Sequence, residues 1–95
     1  MHGYAKDKEL LVKRLHRIEG QVRGIERMVE EDRYCIDILT QIAATTTALE
    51  TVGLKILEDH TRHCVAGALA SGDEAVAQEK TEELLAAVQR FTKAR

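Results

Sequence analysis

The chain has 95 residues, of which 44% are hydrophobic and 32% charged, with no Pro, no Trp, two Tyr and one Phe. Leu, Ala, Val and Ile interleaved with Glu, Lys, Arg and Gln is the composition of long amphipathic helices, which excludes a β-sandwich or barrel and points to one small all-α domain over residues 1–95. The net charge of −2 argues against a uniformly basic nucleic-acid binder. No apolar run approaches the roughly 20 residues of a membrane span, and there is no signal-peptide core, so a cytoplasmic location is expected.

The first predicted helix runs from about Lys6 to about Glu31. Leu11, Leu15, Ile18, Val22, Ile25 and Val29 recur at alternating spacings of 4 and 3, a heptad seam widened by Leu10 and Met28. Between Ala5 and Arg27 seven basic residues outnumber four acids, whereas Asp73, Glu74, Glu79, Glu82 and Glu83 make the C-terminal third acidic. Lys13, Arg14 and Arg17 cluster on or beside one face, a candidate anion-binding surface; a solvated helix face is the plainer alternative for each. Gly20 and Gly24 lie four apart inside this helix, a spacing that suits close approach of a neighbour.

Glu30 to Arg33 form a polar break in which Asp32 or a neighbour is the expected cap of the next helix. The second helix then carries Leu39, Ile42, Thr46, Leu49, Gly53 and Ile56 in one phase that continues through His60 and Cys64. The first strong stop is Ser71-Gly72, so about 35 residues, or roughly 50 Å, are expected in this helix. A third helix is expected from about Glu74 to Phe91, with Val76, Leu84, Leu85, Val88 and Phe91 as its apolar side. Helices this long bury such seams on one another and on a partner chain, which predicts an antiparallel dimer built around a four-helix bundle.

His60 and Cys64 are one helical turn apart and face one direction, so a single metal ion can reach both. Cys35 stands 25 residues before His60, roughly 37 Å along a straight helix, and cannot join them within one chain. In an antiparallel pair it can, and two-fold symmetry then creates two equivalent sites. Two thiolates and an imidazole are a soft ligand set suited to Cu(I) or zinc. Structural zinc takes four protein ligands, so three favour Cu(I). The positive end of the helix dipole also suits a thiolate at Cys35. His63 points away from the His60/Cys64 direction and reads as a surface residue, and His2 lies in the terminus.

These residues resemble the CsoR-type copper-sensing repressors. The matching segments are R-L-x-R-I-E-G-Q-V-R-G-I at Arg14–Ile25, E-D-x-Y-C-I-D at Glu31–Asp37 and H-x-x-H-C at His60–Cys64, and the similarity spans essentially the whole chain. Cys35, His60 and Cys64 all match the copper pattern. The nickel/cobalt branch of the family carries His at the position of Cys64 together with an N-terminal His ligand, and the persulfide branch lacks the His. The resemblance implies a three-helix subunit, a four-helix-bundle dimer and a dimer-of-dimers tetramer. It further implies repression of copper-homeostasis genes by the apo protein and release from operator DNA when Cu(I) binds. Tyr34 and Glu83 match positions that couple metal binding to release, and Arg14 matches the family's functional arginine. A second basic position used by some members late in the second helix is Thr51 here. The chain shows no helix-turn-helix, zinc finger or basic zipper, so phosphate contacts are expected to dominate DNA binding. It also lacks the nucleophile, base and phosphate-loop signatures of an enzyme.

Overall fold

The computed structural model describes residues 2–93, and every described element is helical. A 3₁₀ turn at Ala5–Asp7 leads into α1 (Lys8–Glu30). Next come α2 (Cys35–His60), a π-helical turn (Thr61–Val65), the short α3 (Ala66–Ala70) and α4 (Glu74–Lys93). Helical winding from 35 to 70 is unbroken, as the lack of Pro and the stop at Ser71-Gly72 predict. The all-α expectation of three helices holds, with the second made of α2, the π turn and α3 in series. No described helix is long and apolar enough to cross a membrane.

The connections follow from local chemistry. Asp32 adopts φ +54°, in the left-handed region that Asp tolerates better than most residues. The Asp32 N–H donates to the Val29 carbonyl at 3.1 Å and the Arg33 N–H to the Met28 carbonyl at 3.0 Å. This pair of bonds is the Schellman closure, with Asp at the position usually held by Gly. Asp32 therefore ends α1, and the expectation that it caps the second helix is corrected. The Tyr34 carbonyl instead accepts the first bonds of α2, from the Asp37 and Ile38 N–H groups. At the far end Gly72 takes φ +78°, and the Asp73 carboxylate accepts from the N–H groups of Ala75 and Val76 at 3.0 and 3.3 Å, which caps α4.

Two compact units are evident. In the first, residues 6–55, α1 packs on α2 through Leu11, Ile18 and Val52 with Ala48 beside them. Thr45 is buried on the same side of α2. An ion pair of 3.5 Å between Asp7 and Lys55 ties the 3₁₀ turn to α2. The seam that packs within the chain is thus Thr45/Ala48/Val52. The stripe read from the sequence behaves differently: Leu39 is 58% exposed, Leu49 53%, Ile42 42% and Ile56 38%. On α1 the seam is divided, with Leu11 and Ile18 buried while Val22 and Val29 lie open.

The second unit gathers residues 2–5 with 56–93. Here α4 packs on the π turn and α3, with Val65 and Ala68 buried. Leu84, Val88 and Phe91 of α4 are half-buried, whereas Val76 and Leu85, expected on the same apolar side, are exposed.

Leu11 is the most enclosed large side chain of the α1/α2 core, at 4% exposure. Leu11→Ala removes apolar packing and leaves a cavity, so urea unfolding of the variant is expected to show a loss of about 2–4 kcal/mol. A loss below about 0.5 kcal/mol contradicts this placement of the core.

Candidate metal centre

The Cys35 side chain leaves the first residue of α2 and is exposed, and both cysteines are free thiols. Tyr34, immediately before it, is 66% exposed. His60 is the last residue of α2, and Cys64 lies four residues on, half-buried in the π turn. Cys35 belongs to the first unit; His60, Cys64 and Glu83 belong to the second.

The π turn has no counterpart in the sequence reading. The Ala66 N–H reaches back five residues to the Thr61 carbonyl, the mark of this wider winding, and the Thr61 hydroxyl donates to the Leu57 carbonyl at 2.9 Å. Nothing in T-R-H-C-V announces it, since Pro and paired Gly are absent there. The pairing of His60 with Cys64 survives. At 3.6 residues per turn, a residue four positions on lies about 40° past a full turn. In a wider π turn it falls slightly short of one, so both geometries keep the two side chains on one side. Single π turns inside long helices recur at functional sites. His63, in the same turn, is exposed, as expected.

Glu83 on α4 meets His60. Its Oε1 lies 3.8 Å from His60 Nε2 and 3.7 Å from the Lys80 ammonium. The sequence singles out Glu83 only through family resemblance; Lys80 carried no signal. At this distance the carboxylate faces the Nε2 side of the imidazole without a direct hydrogen bond. Among the described residues of the single chain, no three His, Cys, Asp or Glu side chains gather into a metal-binding group.

At the chain's start, His2 and Tyr4 are exposed and their rings stack at 5.7 Å, 2° from parallel. Gly3 between them is buried. In the first unit, Arg14 and Arg17 line a cleft of about 310 Å³ with Ile18, Gln21, Ala48 and Thr51, while Lys13 is exposed outside that lining. Thr51 therefore shares a cleft with the two arginines.

The donor set fits a soft metal ion. Thiols and an imidazole are ligand types for Cu(I) or zinc rather than for hard cations.

Comparison with known proteins agrees with this chemistry. Residues 7–90 match the family described as metal-sensitive transcriptional repressor. The copper-sensing transcriptional repressor RicR of Mycobacterium tuberculosis is 52% identical over 92 residues, spanning 97% of this chain and 95% of the relative. The repressor CsoR of Bacillus subtilis is likewise 52% identical over 92 residues, 97% of this chain and 88% of the relative. The Cu(I)-bound copper-sensing repressor CsoR of Geobacillus thermodenitrificans superposes with a TM-score of 0.84 at 47% identity, covering 92% of this chain and 88% of that one. The nickel-responsive regulator InrS gives 0.74 at 42% identity, covering 87% and 90%. With helices, soft donors and family match in agreement, this chain belongs to the metal-sensitive transcriptional repressors, regulators of transcription and not enzymes.

Proposed function

We propose that this protein is a Cu(I)-responsive repressor of copper-homeostasis genes, a single sensing and DNA-binding domain that leaves operator DNA when Cu(I) binds. The observation that carries this reading is the pairing of His60 and Cys64 at one helix end, with Glu83 on the imidazole's Nε2 side and a second free thiol at Cys35. The copper-sensing relatives, and the Cu(I) bound in the Geobacillus structure, support the choice of metal. Nickel is the competing effector, because InrS is nickel-responsive. Cys64 favours copper, since a thiolate suits Cu(I) better than Ni(II).

Cys35 and His60 are the first and last residues of one 26-residue helix. A second copy running antiparallel brings its Cys35 to the His60/Cys64 end of the first. The open stripe of Leu39, Ile42, Leu49 and Ile56 supplies the apolar face for that pairing. Dimers then associate into a tetramer, which repeats the basic face of α1 and offsets the net charge of −2. Lys13, Arg14 and Arg17 provide the phosphate contacts, in the cytoplasm where the operator lies.

The imidazole is the joint of the mechanism. His60 would hold the metal through one ring nitrogen, with its Nε2 side facing Glu83 on α4. Metal-bound imidazoles commonly donate their other N–H to a carboxylate, so Glu83 is placed to respond when the metal binds. Tyr34, beside Cys35, is placed to report the other half of the site. Metal and DNA then oppose each other through a coupling free energy of roughly 1–3 kcal/mol, equal in both directions.

Three measurements test this reading. Competition with a Cu(I) chelator should give one tight Cu(I) per protomer, abolished in Cys35→Ala, whose apo form still binds a duplex enriched from a random-sequence pool by the wild-type protein. Unchanged affinity for that duplex on adding Cu(I) to wild type sinks the proposal. Glu83→Gln should retain Cu(I) binding yet lose most of the roughly 5- to 150-fold effect on DNA expected of such coupling. A full response in this variant removes Glu83 from the mechanism. Arg17→Ala should lower the slope of log affinity against log salt by about 0.9 for each phosphate that Arg17 neutralises. An unaltered slope excludes Arg17 from the DNA face.

A further inference from the structure

Gly3 sits against the backbone that ends α2. A Cβ at this position would lie 2.6 Å from the Asp59 carbonyl oxygen, 2.9 Å from its carbon and 3.0 Å from the His60 Cα. These are main-chain atoms, so no side chain can turn aside to make room, and only glycine permits the approach. Asp59 is itself buried, at 3% exposure. The segment is shaped for this seat. The Ala5 N–H closes a turn on the His2 carbonyl at 3.1 Å, and the stacked rings of His2 and Tyr4 flank the buried glycine.

The same segment continues straight into the helix that bears the DNA-facing arginines. Four residues separate Gly3 from Lys8, the first residue of α1; three of them, Ala5–Asp7, are wound as a 3₁₀ turn, and the last, Asp7, is paired with Lys55. The connection is therefore four residues long, with three of them in the 3₁₀ turn.

We infer that residues 2–5 are a strap that couples the metal site to the DNA-binding helix, with Gly3 the positioning residue that seats it on His60. Movement of the His60 backbone on metal binding is passed through the Gly3 contact to the start of α1, and so to Lys13, Arg14 and Arg17. This inference rests on the copper-response reading above. It adds a second route out of the site, separate from Glu83 and α4. It assigns the N-terminal segment a mechanical role and gives His2 no part as a ligand.

Gly3→Ala provides the test, with deletion of residues 2–4 as a second variant that removes the strap without enlarging it. Operator affinity is measured by anisotropy with and without Cu(I), and Cu(I) binding by chelator competition. Both variants should bind DNA in the apo form and should bind Cu(I), while the ratio of the two operator affinities falls from the usual 5- to 150-fold range to within about twofold of one. A merely structural role lowers stability and leaves that ratio unchanged, which would overturn the inference. Loss of Cu(I) binding in His2→Ala would also overturn it, because the segment would then act as a ligand. Hydrogen exchange decides the strap without DNA. In wild type, Cu(I) should change protection at residues 59–61 and 12–15 together, and in Gly3→Ala only at 59–61. Equal responses in the two proteins refute the strap. Absence of Cu(I)-dependent release in wild type would instead count against the copper-response reading alone.

Discussion

A helix that starts with Cys35 and ends with His60 holds those two soft side chains a full helix length apart. An α-helix is stiff and adds roughly 1.5 Å per residue, so no change of side-chain rotamer brings such residues to one ion. The rest of the proposed assembly depends on that constraint. If the ligands are to meet, two copies must run antiparallel, and the apolar stripe for doing so lies unused on the single chain at Leu39, Ile42, Leu49 and Ile56. The stiffness that separates the ligands within a chain would then make the site a gauge of how two chains are set against each other. That property is what a sensor needs if metal binding is to alter a distant surface.

The division of α2 into two seams explains why one stripe is covered and the other is not. Thr45, Ala48 and Val52 are small or slender and let α1 approach closely, with Leu11 and Ile18 filling the space between. The bulkier Leu and Ile residues occupy the other side. A short chain without Phe- or Trp-rich packing gains limited stability from its own core, and an exposed row of large aliphatic side chains is the resource with which association can enlarge it.

The fold class, the helix count and the start of α4 were legible because composition and the Ser71-Gly72 stop act locally. A stop signal needs only its own backbone to be effective. Two features were not legible. The sequence pattern marked the Leu/Ile stripe as a seam but not which part of it packs within the chain, because hydrophobicity does not distinguish a face buried within the chain from one left exposed on it. The π turn at Thr61–Val65, which packs against α4, was hidden because no residue in it breaks a helix. Cys35, His60 and Cys64 stand out as soft donors from their side chains and as a pattern from family resemblance. Glu83 came from resemblance alone, and its approach to His60 is a tertiary contact that 22 positions of intervening sequence conceal. Gly3 was invisible for a related reason: a glycine near a terminus looks like slack until the carbonyl it rests against is known.

His60 is where these separate features converge. Its ring faces a carboxylate from α4, its Cα lies under Gly3, and the residues after it wind into the π turn that carries Cys64. Each contact constrains a different part of the residue: the ring nitrogen, the backbone, and the direction of the chain beyond. If His60 is a metal ligand as proposed, a shift of its ring would act on all three. Single π turns recur at functional sites, and this one carries Cys64. On the proposals above, displacement at the imidazole would be passed on at the other two contacts, toward α4 through Glu83 and toward α1 through Gly3.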